Sequence, residues 1–246
     1  MKTPLDQKSS VNDIRARFDD DVKRFSNLET GQLSTIDAPL SMELITHAAF
    51  ATNPEAEVML DIGCGAGNYT LKLLQLINPL DCDLVDLSQP MLEHARNRIS
   101  SVNAGNIRIY QEDIRRVDLP MERYDIIFAG AVLHHLRDDD DWDQVFSKIY
   151  GLTAPGGSVW VTDLVRHENT HVEAMMIDRY SEYLESVGGR DYRAQVFDYI
   201  DKEDSPRSVT FQVDLLRKVG FTTVDILHKN SCFAAFGAVK AQTLSL

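Results

Sequence analysis

Residues 60–68, Leu-Asp-Ile-Gly-Cys-Gly-Ala-Gly-Asn, are the stretch that decides the fold. An apolar run ends here, three glycines follow at alternate positions, and a helix-forming segment comes next. Glycine lets the backbone turn tightly and lets a ligand approach it without an intervening Cβ. The stretch is not the dinucleotide fingerprint G-x-G-x-x-G, because Asn68 stands where its third glycine belongs. It is not a nucleotide-triphosphate loop either, because no Gly-Lys-Ser/Thr follows.

Outward from this turn, the chain alternates between strand patterns and helix patterns. Strands are predicted at 58–62, 82–87, 107–110, 124–129 and 158–163, and helices at 70–76, 90–99 and 143–152. Such alternation is typical of an α/β protein with a parallel sheet and helices on both of its faces. A helix over 211–219 and two further strands, 222–227 and 232–239, close the chain.

Two flanking regions do not follow the alternation. Residues 1–57 are predicted to form an N-terminal helical lid, because apolar residues recur at helical spacing from Ile14 to Phe25 and again after Ser41, a predicted N-cap. The main domain covers 58–246, with a helical insertion at about 164–208. The insertion is polar and rich in tyrosine, so it either lines an acceptor pocket or fastens itself to the core, and the sequence leaves both readings open.

Composition narrows the class of protein. Of the 246 residues, 43% are hydrophobic, which is enough for a core. The formal net charge of −13 disfavours a nucleic-acid partner, which needs clustered Lys and Arg. Three cysteines without disulfide or metal spacing, no membrane-length apolar run and no signal sequence predict a soluble cytoplasmic protein. A homodimer is compatible with the sequence, which does not set the oligomeric state.

Carboxylates follow two of the predicted strands. Asp86 ends the second strand, 23 residues beyond Gly63, and Asp113 comes just after the third strand. The carboxyl ends of parallel strands meet at one edge of the sheet, where α/β proteins bind their ligands. A carboxylate at the position of Asp86 can accept hydrogen bonds from ribose hydroxyls, and one at the position of Asp113 can accept a hydrogen bond from an adenine amino group.

Five motifs in this order resemble the class I S-adenosylmethionine-dependent methyltransferases. They are LDIGCGAGN, LVDLS, QEDI, YDIIFAGAVLHHL and LTAPGGSVWVTD, within residues 58–163. The resemblance implies a Rossmann-like, doubly wound, seven-stranded sheet with an antiparallel last strand. It also implies S-adenosyl-L-methionine as the cofactor and a small molecule as the methyl acceptor.

The same resemblance implies cofactor contacts. Gly63 and Gly65 would lie against the methionyl part, with Asp61 near the sulfonium and amino groups. Asp86 would hold the ribose, and Leu87 and Met91 would pack against adenine. Asp113 and the Ile114 backbone would read the adenine edge, and the Ala129 carbonyl would accept from the cofactor's amino group.

Catalytic candidates follow the fourth strand. His134 and His135 lie at the mouth of the expected crevice, and histidine has a pKa suited to taking the acceptor's proton. The alternative is that they cap or order the loop. The aspartate run 138–141 is interpreted as the start of a helix, where carboxylates complement the helix dipole. With no ligand spacing in the sequence, no metal is predicted.

A more remote resemblance connects residues 18–25, FDDDVKRF, and 233–237, FAAFG, with the carboxy-S-adenosylmethionine synthases. Those enzymes usually lack the full triple-glycine turn, and their final helix has an arginine where Leu215 stands here. Ordinary methyl transfer is therefore the predicted function. A synthase-like enzyme and a non-catalytic, cofactor-binding regulatory subunit are the alternatives.

Overall fold

A mixed seven-stranded sheet runs through the computed structural model, which describes residues 3–27 and 32–242. Its strands are β1 Val58–Ile62, β2 Asp81–Asp86, β3 Ile107–Gln111, β4 Tyr124–Gly130, β5 Thr153–Leu164, β6 Thr223–Asn230 and β7 Phe233–Val239. They lie in the order β3-β2-β1-β4-β5-β7-β6. The pairs from β3 to β5 are parallel, and β7 is antiparallel to both β5 and β6. The predicted Rossmann-like sheet with an antiparallel last strand is confirmed.

Helices cover both faces of the sheet. They are α1 Val11–Asp20, α2 Val22–Ser26, α3 Ala38–Thr52, α4 Asn68–Leu73, α5 Gln89–Ser100, α6 Asp139–Leu152, α7 Thr170–Glu203 and α8 Val209–Val219. Successive residues of a strand point to opposite faces, so β4 contributes Ile127 to the core under α6 and α8 and Phe128 to the core under α3, α4 and α5. This packing fixes the strand ends that carry the predicted site.

The N-terminal helices differ from the sequence pattern in two places. The helix predicted from Ile14 onward is interrupted at Asp21, between α1 and α2. The next helix, α3, begins at Ala38 with Pro39 in its first turn, where proline's missing N–H costs no hydrogen bond. Ser41 is therefore a buried residue inside α3 and not an N-cap. Within the predicted lid, α3 packs on the sheet, whereas the described residues of α1 and α2 are not part of the two cores that flank the sheet.

The insertion is dominated by one long helix, α7, of 34 residues. Gly189 interrupts it with a φ of 79° and a ψ of −176°, so the helix continues in a new direction. Its apolar side chains, among them Tyr180, Leu184 and Val196, form a third core with Leu164 and Phe233 at the ends of β5 and β7. The insertion is thus held over the carboxyl edge of the sheet.

None of the helices within residues 3–27 and 32–242 is both long enough and apolar enough to cross a membrane.

Candidate active site

The glycine turn connects β1 to α4 and forms the floor of a cavity at the carboxyl edge of the sheet. Gly63 and Gly65 have φ values of +64° and +50°, in the left-handed region that glycine adopts without strain. A Cβ on Gly63 would lie 2.5 Å from Cγ2 of Val132, whereas a Cβ on Gly65 would meet nothing within 4 Å. Gly63 is therefore needed for packing, and Gly65 keeps its face of the turn open to the cavity.

Asp86 lies beside this turn and lines the same cavity. Its Oδ2 accepts a hydrogen bond of 2.8 Å from the Gly65 backbone, and its Oδ1 accepts one of 2.9 Å from the Ser88 backbone. Burial raises the pKa of Asp86, although the backbone donors partly oppose that effect. The carboxylate is thus held rigidly at the cavity wall, with lone pairs available for a ligand's hydroxyl groups.

Asp61 lies at the end of β1, fully buried. Its Oδ2 accepts a hydrogen bond of 2.7 Å from the Thr70 hydroxyl, but its Oδ1 has no hydrogen-bond partner among the described residues. Burial raises the pKa of Asp61 to about 7, although the hydrogen bond from Thr70 lowers it in part. Asp61 is not among the described residues that line the cavity, but an ionised carboxylate there would favour a cationic ligand such as the positively charged end of S-adenosylmethionine.

The other predicted cofactor residues divide into two groups. Leu87 and Met91 line the cavity next to the turn. The three others, Asp113, Ile114 and Ala129, are not among the described residues that line it. The Asp113 carboxylate is instead hydrogen-bonded to the side chain of Arg115, which also reaches Asp141. Its role toward adenine, like that of Ile114 and Ala129, stays a prediction.

His134 and His135 both face the cavity. They lie in a short 3-10 helix, Leu133–His135, that follows β4. An extended backbone would point adjacent side chains to opposite sides, but the helical turn brings the two ring centroids within 4.4 Å of each other. Both rings therefore line the same cavity.

Two carboxylates flank His134. The Nδ1 of its ring is hydrogen-bonded to Oδ1 of Asp163, and its backbone N–H donates to Oδ2 of Asp163 at 3.0 Å. Its Nε2 lies 3.8 Å from Oδ1 of Asp204. Burial alone would lower the pKa of His134, but the charges of Asp163 and Asp204 outweigh it and raise the pKa to about 9. The ring is therefore protonated at neutral pH in the protein without ligand.

Sequence reasoning missed both of these carboxylates. Asp163 ends the motif WVTD at a strand end, so its position at the ligand-binding edge was a usable signal. Asp204 follows the last residue of α7 and is 98% buried, with no neighbouring motif that marks it. Only the packing of the insertion over the sheet brings Asp204 to the histidines.

The N-terminal helices form one wall of the cavity. Ile14, Arg17 and Phe18 of α1 line it, and Phe18 contacts the His135 ring edge-on, with 6.1 Å between centroids. The Arg17 side chain makes a two-pronged ion pair with Glu203, at 2.9 Å from Nε to Oε1 and 2.6 Å from Nη2 to Oε2. This pair ties α1 to the end of α7, so the two flanking regions close over the cavity together.

Both readings of the tyrosines in the insertion find support. Tyr180 and Tyr199 line the cavity. The Tyr180 hydroxyl donates a hydrogen bond of 2.7 Å to the Ser34 carbonyl, and the Tyr183 hydroxyl donates one of 3.0 Å to that of Leu33. The tyrosines therefore fasten the insertion to the segment before α3 and also contribute aromatic surface to the cavity.

The sequence is similar to known methyltransferases and to enzymes that modify S-adenosylmethionine. Residues 59–157 match the family model of a methyltransferase domain. The carboxy-S-adenosyl-L-methionine synthase of Campylobacter fetus is 28% identical over 189 residues, which are 76% of this chain and 79% of that protein. The demethylmenaquinone methyltransferase of Lactococcus lactis is 25% identical over 190 residues, which are 75% of this chain and 73% of that protein.

A solved structure shares the fold. The 1,6-didemethyltoxoflavin-N1-methyltransferase of Burkholderia thailandensis, solved with its acceptor and S-adenosylhomocysteine, has a TM-score of 0.61 and 16% identity, covering 98% of this chain and 94% of that one. The matched domain contains the glycine turn and the strand ends that form the cavity floor. Residues 59–157 thus match a methyltransferase domain, and the whole chain is similar in sequence and fold to S-adenosylmethionine-dependent methyltransferases.

Proposed function

We propose that this chain transfers the methyl group of S-adenosylmethionine to a small-molecule acceptor. One observation carries the proposal: a single cavity is lined at one end by the glycine turn and Asp86 and at the other by His134 and His135. The first end suits the cofactor, and the second offers polar groups to an acceptor. Helices α1 and α7 cover the cavity, which favours a small acceptor over a macromolecule.

Each cofactor-side residue has a proposed role. Asp86 accepts hydrogen bonds from the ribose hydroxyls, and Leu87 and Met91 pack against the adenine ring. Asp61 balances the cofactor's positive charge from beneath the turn. When bound, the cofactor supplies an electrophilic methyl group, so the chain mainly has to orient the acceptor and exclude water.

The histidine pair is proposed to serve the acceptor. Direct abstraction of a proton by His134 requires its ring to be neutral, but Asp163 and Asp204 keep it protonated at neutral pH. In that state the Nε2–H donates a hydrogen bond and holds the acceptor's polar atom. His134 acts as a general base only after its own proton has left.

Calorimetric titration with S-adenosylmethionine and with S-adenosylhomocysteine tests the cofactor half of the proposal. We expect micromolar binding, and Asp86→Ala should weaken it by about tenfold or more, because a hydrogen bond to a charged group contributes roughly 1.5–3 kcal/mol. Asp214→Ala, an exposed carboxylate on α8, is the matched control and should bind normally. Binding that is unchanged in Asp86→Ala contradicts the ribose assignment.

A second candidate is a carboxy-S-adenosylmethionine synthase-like activity. It is favoured by the 28% identity to the Campylobacter fetus synthase. Against it, Leu215 is buried in the core under α6 and α8, so this position offers no cation to an extra carboxylate. Mass spectrometry of the ligand that co-purifies with the protein separates the two candidates. A carboxylated cofactor supports the synthase reading, and S-adenosylmethionine or S-adenosylhomocysteine supports methyl transfer.

A further inference from the structure

Three side chains converge at the acceptor end of the cavity with the chemistry of a metal site. They are His134, His135 and Asp204, each of which offers one ligand atom, and these atoms all lie within 4.8 Å of one another. We propose that these three residues bind a divalent first-row transition-metal ion that takes a polar atom of the acceptor as a further ligand. The binding of the ion needs only this chain, whereas its role toward the acceptor rests on the proposed function.

Two of the three distances between the ligand atoms suit such an ion, and the third, between the histidine nitrogens, is within 4.8 Å. With metal–ligand bonds of about 2.0–2.2 Å, two ligands of one ion lie roughly 3–4 Å apart. Here Nδ1 of His135 lies 3.1 Å from Oδ1 of Asp204, and Nε2 of His134 lies 3.8 Å from the same oxygen. Two histidines and one carboxylate on one side of an ion leave the opposite positions open, and those positions face the cavity.

The hydrogen bonds around the cluster leave one ring nitrogen of each histidine available to bind an ion. Nδ1 of His134 is hydrogen-bonded to Asp163, so Nε2 is the nitrogen left for an ion, which would replace the proton that Nε2 carries in the ligand-free protein and release it to solvent. This is the arrangement in which a carboxylate orients a metal-binding histidine and increases its basicity. Nδ1 of His135 is buried, and Oδ1 of Asp204, at 3.1 Å, is its nearest polar contact but does not meet it with good hydrogen-bond geometry. A metal ion would satisfy this atom.

A backbone hydrogen bond fixes the two segments that carry the three ligands relative to each other. The Ser205 N–H donates a hydrogen bond of 2.7 Å to the His134 carbonyl, which joins the 3-10 helix directly to the segment that contains Asp204. The charges also match, because Asp163 and Asp204 together can supply two negative charges near a divalent cation. Asp163 and Asp204 are 3% and 2% exposed, so their charges are poorly screened by solvent.

An ion at this position changes the chemistry available to the acceptor. A bound cation lowers the pKa of a hydroxyl group or water that coordinates it, so the proton leaves to solvent near neutral pH. The histidines then act as ligands and not as bases. The exposed aspartate run at the start of α6 is a separate feature, in which Asp138 caps the helix by accepting from the Asp141 N–H.

The test uses the full chain after treatment with a chelator and dialysis. Calorimetric titration with Zn²⁺ and with Mn²⁺ should show one site per chain for at least one of the two ions. Asp204→Asn and His135→Ala should each weaken that binding by more than tenfold. Asp163→Asn should weaken it by about 10–100-fold, the usual effect of removing a residue that orients a ligand. His171→Ala, which changes an exposed histidine outside the cavity, should bind normally.

Two further measurements make the result decisive. Circular dichroism and S-adenosylmethionine binding are recorded for every variant, so that a loss of metal binding is not mistaken for a loss of the fold. The proposal is overturned if neither ion binds the folded wild type, or if Asp204→Asn and His135→Ala bind it as tightly as the wild type does. Normal S-adenosylmethionine binding beside absent metal binding would overturn the metal site alone and leave the proposed function standing.

Discussion

The two ends of the cavity are built in different ways. The cofactor end comes from one continuous part of the chain, residues 61–91, which contains the glycine turn, Asp86 and Met91. The acceptor end is assembled from four distant parts: α1, the turn after β4, the end of β5 and the end of α7. The first is a local motif on a parallel sheet, and the second exists only when the flanking regions have docked.

The two ends of the cavity are also stabilised by different interactions. In the cofactor end, backbone hydrogen bonds within the turn, such as those from Gly63 and Cys64 to the Val85 carbonyl, hold the site. In the acceptor end, buried charges hold one another, as Asp163 does with His134 and Glu203 with Arg17. Substitutions at the first end should therefore change cofactor affinity, and those at the second should change rate, pH dependence and closure.

The largest expected effect is at the acceptor end. His134→Ala should lower the rate of methyl transfer by about 10²–10⁴-fold, whether the ring acts as a proton-handling group or as a ligand. The affinity for S-adenosylmethionine should stay within about threefold, because the ring serves the acceptor. Steady-state kinetics with an acceptor found by screening, together with calorimetry, measure both quantities. If both His134→Ala and His135→Ala keep full activity, neither histidine serves the reaction.

The next effect tests the cofactor end. Gly65→Ala should weaken S-adenosylmethionine binding by about 100-fold, because the new methyl group occupies open cavity space and the residue also needs a positive φ. Gly63→Ala is the comparison, since its methyl group collides with Val132 inside the protein. Thermal denaturation without ligand should show a larger loss of stability for Gly63→Ala than for Gly65→Ala. If both variants lose the same stability and the same affinity, Gly63 and Gly65 do not have the separate packing and binding roles described above.

A smaller effect concerns stability at alkaline pH. The pKa of His134 is about 9 in the folded protein, against an ordinary value of about 6.5. The folded state binds this proton more tightly, so the stabilisation is fully present below pH 6.5 and is lost as pH rises through 9. The free energy of unfolding should fall by on the order of 2 kcal/mol between pH 7 and pH 9.5 in urea titrations.

A matched variant checks that assignment. His134→Gln cannot bind the proton, so its stability should change much less over the same pH interval. Asp61, whose pKa is raised to about 7, adds little slope above pH 8 because it is then already ionised. If His134→Gln keeps the full pH dependence of the unfolding free energy, that dependence comes from another group.

The smallest effect concerns closure of the lid. Arg17→Ala removes the ion pair between α1 and Glu203, a partly buried contact that contributes about 1 kcal/mol. Amide hydrogen exchange in residues 11–20 should then become several-fold faster, and cofactor binding should slow that exchange in the wild type. Arg217→Ala, which removes an exposed ion pair on α8, is the control and should leave exchange in α1 unchanged. Equal protection of α1 and α7 with and without cofactor would contradict the lid.

The strand ends at the cofactor end could be located from the sequence for a physical reason. Strand periodicity and the glycine spacing are local properties, and parallel strands place their carboxyl ends at one edge. Asp86 accordingly lines the cavity beside the glycine turn, and its role toward the ribose stays a prediction. Asp113 shows the limit of that reasoning, because its neighbour Arg115 binds the carboxylate and no pattern along the chain indicated that pair.

By itself, the sequence determined the α/β class, the run of strands and helices and the methyltransferase motifs, because each depends on short-range patterns. Only the tertiary structure decided the acceptor end. The 3-10 turn after β4 points both histidines into the cavity, and the docking of α7 places Asp204 beside them, 69 residues further along the chain than His135. Contacts between such distant residues follow from how whole elements pack, which the pattern of a single segment does not specify.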